Sequence, residues 1–95
     1  MKSTLEEQQA FIAVVDSGSI TAAAERLEMT VSGVSRALNR LEQKLDTTLL
    51  RRTTRRLELT EEGETFLAHC RRILAAVETA EESIVGHRDQ PKGRL

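Results

Sequence analysis

The sequence contains no tyrosine, no tryptophan and only two phenylalanines in 95 residues. Proteins that hold single strands or unpaired RNA stack the bases on aromatic rings, so this lack weighs against such partners. The single cysteine, Cys70, excludes a disulfide within the chain and gives no sign of an oxidising compartment. No apolar run approaches the roughly 18 residues of a membrane span, and the start does not resemble a signal peptide. We therefore expect a cytoplasmic protein.

Patterns for catalysis and metal binding are also missing. His69 and His87 have no cysteine or carboxylate at metal-ligand spacing. The serines have no placed histidine and acidic partner, and no glycine-rich phosphate loop occurs. A chain of this length buries only a modest core, which disfavours a deep catalytic cleft. We expect no enzymatic activity, no cofactor and no metal site.

Charge is unevenly distributed in a chain whose net charge is -1. Residues 36–56 contain seven basic and two acidic residues, a local balance of +5. Residues 61–95 contain five basic and seven acidic residues, a balance of -2. A basic segment of this kind indicates an electrostatic footprint for a polyanion, and the scarcity of aromatic residues favours duplex DNA.

Helical periodicity and capping residues predict three helices in the first half. Thr4 and Glu7 match a capping box, and Gly18 is expected to end the first helix. Ser19 is placed to cap a second, alanine-rich helix, and Thr30 a third one after a turn of three residues. The third helix carries an apolar stripe at helical spacing, formed by Val34, Leu38, Leu41 and Leu45.

A two-stranded hairpin is predicted next, because the apolar period changes. Leu57 and Leu59 alternate with Glu58, while Leu49 and Leu50 supply an opposing apolar strand. The sequence TTRR lies at the tip between the two strands.

A long helix is predicted to follow. Thr60 is placed to cap it, Glu61 and Glu62 suit its first turn, and Gly86 is expected to end it. A helix of about 25 residues is roughly 38 Å long, more than the small domain needs, so its apolar stripe is expected to pair with a second copy. The candidate dimerisation residues are Phe66, Cys70, Ile73, Val77, Ala80 and Ile84.

The second and third helices together describe a helix-turn-helix. The recognition helix must enter a major groove about 12 Å wide, and large side chains would hold its first turn away from the bases. Ser32, Gly33 and Ser35 keep that turn thin, and Arg36 lies one turn further along, within reach of a base edge or a phosphate.

Several segments match a known pattern when taken together. They are Ala23, Ala24 and Leu27, the VSR of residues 34–36, the LE of residues 41–42, the wing LLRRTTRRLELTEEG and the closing PKGRL. In these segments the chain resembles the N-terminal winged helix-turn-helix of LysR-type transcriptional regulators, over about residues 5–63. In that family the PxGxL sequence leads into an effector-binding domain. The resemblance implies a DNA-binding domain at residues 1–60, a linker dimerisation helix at 61–87 and a hinge at 88–95.

The resemblance also implies how such a protein works. It implies a mainly α fold and an antiparallel pair of linker helices in a homodimer, and it leaves open a dimer or a tetramer at full length. The target is an interrupted, A/T-containing inverted repeat, and a small-molecule effector binds only through the C-terminal domain. Val31, Ser32 and Gly33 stand where glutamine, proline or serine, and alanine are frequent in the family, so a glutamine base contact does not carry over. Asp46 replaces a usual glycine and Leu50 a usual phenylalanine, and both replacements are compatible with the fold.

The sequence allows two functional interpretations, and the extended wing and the thin front of the third helix favour the first. The first is sequence-specific binding of double-stranded DNA, and the second is a helical dimerisation module whose basic face binds an acidic protein. An arginine-rich hairpin also protects an exposed sheet edge, and a basic helix face is also common in solvent. The candidate DNA-binding residues are Ser19, Thr30, Val31, Ser32, Gly33, Ser35, Arg36, Asn39, Arg40, Arg52, Thr54, Arg55 and Arg56, with Lys44 on the same basic helix.

Overall fold

The computed structural model describes residues 1–53 and 56–89, with side chains through Gly86. The elements are α1 (Leu5–Ser17), α2 (Ile20–Leu27), α3 (Val31–Leu45), β1 (Leu50–Arg52), β2 (Leu57–Leu59) and α4 (Glu61–Asp89). This order confirms the predicted mainly helical fold with three helices, a two-stranded hairpin and a long final helix.

Each helix begins at a hydroxyl side chain that was predicted to cap it. Thr4 and Glu7 form the capping box of α1, with reciprocal hydrogen bonds of 3.0 and 3.1 Å. Ser19, Thr30 and Thr60 each accept a hydrogen bond from the backbone N–H three residues further on, at 2.9 to 3.1 Å. Backbone donors that the helices leave unpaired are thereby satisfied, which fixes where each helix starts.

The first three helices all end at a residue in the left-handed conformation. Gly18 follows α1 with φ 83°, which confirms the predicted stop. Glu28 and Asp46 follow α2 and α3 with φ 57° and 52°. The left-handed residue at Glu28 turns the chain sharply, so only residues 28–30 separate α2 from α3.

The long helix α4 extends beyond its predicted end. Gly86 lies inside α4, which continues to Asp89, so the prediction that Gly86 ends the helix is wrong. A glycine costs about 1 kcal/mol in a helix interior but ends the helix only when the backbone turns left-handed, which Gly86 does not do. The predicted hinge at residues 88–95 therefore starts within α4, and its residues 90–95 lie outside the described part of the chain.

The apolar core lies where α1, α2 and α3 meet, and α4 closes it on one side. The stripe of α3 is buried as predicted, because Val34, Leu38 and Leu41 are at most 2 % exposed and Leu45 packs at the margin. Phe11 of α1 is fully buried at the centre of this core. The core therefore fixes one face of α3 against the rest of the domain.

The hairpin is attached to α3 through Glu42. Its Oε2 accepts hydrogen bonds from the backbone N–H groups of Leu49 and Leu50, at 2.8 and 3.0 Å. The strands are antiparallel, with Leu50 opposite Leu59. Gly63 lies where α4 crosses this segment, and a Cβ there would overlap the Leu49 carbonyl oxygen. The base of the wing is thus held between α3 and α4.

A buried carboxylate joins α1 to α3. Glu7 is 1 % exposed, and its carboxylate binds Lys44 Nζ at 2.8 Å and Arg40 Nε at 3.0 Å. Burial alone raises the pKa of this carboxyl. Hydrogen bonds from Lys44, the Thr4 backbone and Arg40 outweigh that effect and lower the pKa from 4.5 to about 2. The ionised form of Glu7 is therefore the form that stabilises the fold.

We expect this ion cluster to make stability depend on pH. Because the pKa of Glu7 is lower in the folded chain, its stabilisation is complete above about pH 4.5 and is lost as the pH falls towards 2. Glu7→Gln should lower the free energy of unfolding by about 2 to 3 kcal/mol at pH 7 and by clearly less at pH 3. Urea unfolding at both pH values measures the difference.

The matched control for this experiment is Glu6→Gln, which changes an exposed carboxylate on the same turn of α1. It should alter the free energy of unfolding by less than about 0.5 kcal/mol at either pH. An equal loss of stability for Glu7→Gln at pH 7 and pH 3 would show that the charge of Glu7 does not matter.

Candidate nucleic-acid interface

The first turn of α3 presents small side chains to solvent. Thr30, Val31 and Ser32 are exposed, and Gly33 is half-buried. A Cβ at Gly33 would lie 3.0 Å from the Thr30 hydroxyl oxygen, so even alanine would crowd the cap. The front of α3 is therefore thin, as a helix that approaches a groove closely requires.

The same turn has no acidic residue. The first turns of α1 and α4 contain two and three acidic residues respectively, whereas that of α3 contains none. The partial positive charge of a helix N-terminus favours anions, and here no carboxylate of the first turn offsets it. The electrostatics of α3 thus favour a phosphate-rich surface.

Arg36 is exposed one turn further along α3 and forms no hydrogen bond or ion pair with any described residue. Ser35 beside it is half-buried, and Asn39 is exposed on the following turn. A guanidinium in this position has all five donors available, which suits a bidentate contact with a guanine edge or a phosphate.

The other basic side chains of α3 are held by Glu7. Arg40 keeps about half of its side chain exposed, at 51 %, while Lys44 is exposed by 34 %. The sequence pattern indicated an open basic face for both, and it assigned Glu7 to the capping box alone. The partners of Glu7 lie 33 and 37 residues away, so no local pattern could have revealed them.

The wing carries its arginines next to α3. Arg52 donates from Nη2 to Asn39 Oδ1 at 3.3 Å, which links the first strand to the exposed face of α3. Arg56 pairs with Glu58 at 3.3 Å, in an exposed arrangement that solvent screens strongly. The predicted contact residues Thr54 and Arg55 at the tip lie outside the described residues.

Two predicted contact residues also serve as helix caps. The Ser19 and Thr30 hydroxyl oxygens accept from Ala22 N and Gly33 N, at 3.1 and 2.9 Å. A hydroxyl has one proton and two acceptor lone pairs, so each side chain retains its proton as a donor to a phosphate. Among the described candidate residues, the contact that joins two elements is the hydrogen bond between Arg52 of β1 and Asn39 of α3.

The apolar stripe of α4 divides into two parts. The Phe66 ring lies 5.9 Å from the Phe11 ring, and Cys70 is fully buried against the same core. The prediction that Cys70 contacts a second copy is wrong, because the chain itself already covers it. Further along, Ile73 and Ile84 are 39 % and 64 % exposed. Ala80 is exposed as well, and Val77 is half-buried.

An ion pair joins α4 to α1 beside the core contacts of Phe66 and Cys70. Arg71 donates to both carboxylate oxygens of Asp16, at 2.7 and 3.2 Å. The hydrogen bond from Arg71 holds the pKa of Asp16 below its usual value. A bidentate contact of this kind restrains orientation as well as distance between the two helices.

Alternative chemistries find little support in the described part of the chain. Residues 1–53 and 56–89 contain no group of histidine, cysteine and acidic side chains that could hold a metal ion. None of the helices described there combines the length and the apolar character needed to cross a membrane. Burial raises the pKa of the Cys70 thiol to about 11, which keeps it protonated and unreactive.

Comparison with known proteins identifies the relatives of this chain. It is 46% identical over all of its 95 residues to the HTH-type transcriptional regulator CrgA of Neisseria meningitidis, and covers 32% of that protein. Over 91 residues it is 40% identical to the HTH-type transcriptional activator AaeR of Escherichia coli, of which it covers 29%. The chain therefore spans about a third of the length of the curated relatives it matches.

Solved structures share the fold. A complex of BenM_DBD with catB site 1 DNA superposes with a TM-score of 0.86 at 27% identity, covering 97% of this chain and 99% of that one. The CbnR_DBD–DNA complex superposes with a TM-score of 0.75 at 37% identity, covering 96% and 99%. In both proteins the matched part is nearly the whole solved chain.

The family follows from these matches and from the geometry of α2, α3 and the wing. A model described as "Bacterial regulatory helix-turn-helix protein, lysR family" matches residues 5–64, well over half of the chain. The relatives above are named transcriptional regulators, not enzymes. The chain belongs to the lysR family of bacterial regulatory helix-turn-helix proteins, and its winged helix-turn-helix is a DNA-binding domain.

Proposed function

We propose that this chain binds a double-stranded DNA operator as a homodimer, with α3 in the major groove and the wing on flanking phosphates or the minor groove. The observation that carries the proposal is the two-sided character of α3. One face is fully buried, while the other presents a thin, acid-free first turn and an unpaired Arg36. The similar BenM_DBD and CbnR_DBD chains were solved as DNA complexes, which supports the same kind of partner.

The role of α3 is to read base edges. The N-terminal residues of a recognition helix contact bases in the major groove, where each base pair shows a distinct pattern of donors and acceptors. Arg36 supplies the long donor, and Ser32, Ser35 and Asn39 supply shorter polar groups on the same helix. The cap residues Ser19 and Thr30 donate to the phosphates that flank the groove.

The role of the wing is to hold the backbone. Arg52 is exposed and bonded to Asn39 of α3, and the predicted contacts Thr54, Arg55 and Arg56 follow it in the sequence before β2. Contacts of this kind neutralise phosphates and fix the register of the domain without reading sequence. The Arg40 guanidinium, which Glu7 holds through Nε, keeps its terminal nitrogens for a phosphate of the same strand.

The role of α4 is to join two domains. Ile73, Val77, Ala80 and Ile84 form an apolar face that the chain itself leaves open. Pairing this face with a second copy in antiparallel orientation buries it and places two α3 helices on one side of the dimer. A two-fold dimer matches an inverted repeat, with half-sites spaced by whole turns of the duplex.

The whole regulator adds functions that lie beyond this domain. The chain spans about a third of its curated relatives, and we place effector binding in the remaining part, together with the contacts that build a tetramer. A cytoplasmic location is consistent with a regulator of this class.

We expect Arg36 and Arg52 to contribute differently to binding. Arg36→Ala should lower the affinity for the best operator about tenfold to a hundredfold. It should also flatten the base preference at one or two positions per half-site, because a bidentate contact discriminates between bases by about 1 to 3 kcal/mol. Arg52→Ala should weaken binding to all DNA sequences by a similar factor. It should also reduce the slope of log affinity against log salt by about one for each phosphate that is no longer neutralised. Salt titrations on the operator, on single-base variants and on random duplex separate the two effects.

The control for both variants is Arg72→Ala, which removes an exposed arginine of α4. Its Nη1 lies 3.3 Å from Nδ1 of His69 on the same helix. It should leave base preference and salt slope unchanged. If Arg36→Ala keeps the base preference while Arg52→Ala removes it, the assigned roles are wrong. If neither changes affinity, binding of an acidic protein becomes the better account of the basic face.

We expect the exposed face of α4 to hold the dimer together. Replacing Ile73 and Val77 with aspartate places two charges in that face and should give monomers with operator affinity reduced at least about tenfold, because the two half-sites no longer bind together. Sedimentation velocity measures the mass, and fluorescence anisotropy measures the affinity.

The matched control places the same charges on the opposite side of α4, at Ala75 and Thr79, which are exposed and share the four-residue spacing. This double variant should remain a dimer. A stable monomer for the unmodified chain at micromolar concentration would contradict the proposed role of α4.

A further inference from the structure

Val31 is an exposed apolar side chain that the fold does not use. It is 48 % exposed and does not belong to the apolar core. The other exposed large apolar side chains among the described residues are Met1, Leu5 at the start of α1, and residues of α4. Val31 alone lies on α3, as its first residue.

The stability of α3 does not account for this residue either. Valine is a weaker helix former than alanine, and an acidic or hydroxyl side chain in the first turn would suit the helix dipole better. Single apolar residues on a surface are common and need no explanation elsewhere. Here the position is the leading end of the proposed recognition helix, so whatever side chain stands there meets the DNA first.

The shape of valine suits one feature of the major groove. Its branched β carbon restricts rotation about χ1, so its two methyl groups are held in place at little cost in entropy. Valine neither donates nor accepts a hydrogen bond, and it cannot read the polar edges of bases. The only apolar group that the four bases present in the major groove is the C5 methyl of thymine.

We propose that Val31 reads the 5-methyl group of one thymine in each half-site through apolar contact. The proposal rests on the proposed function, because it requires α3 to lie in the major groove. The thin turn around Val31 supports it, since Ser32 and Gly33 are too small to hold the backbone away from the bases. The absence of acidic residues from this turn removes the repulsion that phosphates would otherwise exert.

The size of the effect follows from the area of one methyl group. Burying one thymine methyl group away from water raises the affinity about fourfold, and the two half-sites bound by one dimer together give about 15-fold. This is smaller than the effect of a bidentate arginine, so Val31 adjusts the preference at one position while Arg36 sets the stronger one.

The test removes the methyl group from the DNA and nothing else. An operator is selected from random duplex with the 95-residue chain, and each symmetric pair of thymines in the half-sites is replaced by uracil. Uracil pairs with adenine as thymine does but lacks the C5 methyl. One symmetric pair should show a loss of about 15-fold in affinity for the unmodified chain, measured by fluorescence anisotropy.

Two variants connect this loss to the side chain. In Val31→Ala the uracil penalty at that pair should fall to less than about threefold, because the shorter side chain no longer covers the methyl group. Val85→Ala is the matched control, since Val85 of α4 is 50 % exposed and loses the same two methyl groups. It should retain the full uracil penalty whatever its absolute affinity. Circular dichroism confirms folding, and alanine is the better helix former at position 31.

Three results overturn the inference. One is an operator in which no thymine pair shows a uracil penalty above about twofold, and another is a penalty that persists undiminished in Val31→Ala. Both leave the proposed function intact, because the unmodified chain still selects an operator. Failure of the unmodified chain to bind any duplex is the third, and it would refute the proposed function and this inference together.

Discussion

The structure of this domain depends on one constraint: α3 is held by contacts on its inward face alone. A helix that must leave its outward face free can be held solely by its inward stripe, and Val34, Leu38 and Leu41 are accordingly buried almost completely. The first two helices supply the surface for that stripe, and the wing is attached through Glu42 at the end of the same helix. The alanines of α2 follow from this constraint, because small side chains let α3 approach closely enough to be covered.

Charge within the domain is divided between folding and recognition. The basic segment has a formal balance of +5, but two of its cations belong to the fold, since Glu7 holds Lys44 and Arg40 between α1 and α3. The buried carboxylate thereby joins α1 to the second half of α3. Lys44 is the more buried of these two cations, Arg40 keeps about half of its side chain exposed, and Arg36 has no partner among the described residues.

How much the sequence could predict depended on how local each feature was. The caps at Thr4, Ser19 and Thr30 use contacts within one helical turn, and the stripe of α3 is visible as a helical spacing of apolar residues, so the sequence indicated both. Contacts between Glu7 and α3, and between Asp16 and Arg71, join residues 33 to 55 positions apart and have no signature in a single sequence. Cys70 shows a related difficulty. The spacing of apolar residues in α4 shows that the helix has an apolar stripe, but it does not show which residues of that stripe are buried within the same chain. The prediction at Gly86 was wrong because a glycine only weakens a helix.

Two non-glycine residues in the left-handed conformation lower the stability of the domain. Glu28 and Asp46 stand at the corners before and after α3, where a side chain costs about 1 kcal/mol that glycine would not. Both side chains are exposed, and neither belongs to the apolar core. Glycine at these two positions should therefore raise the heat resistance of the domain.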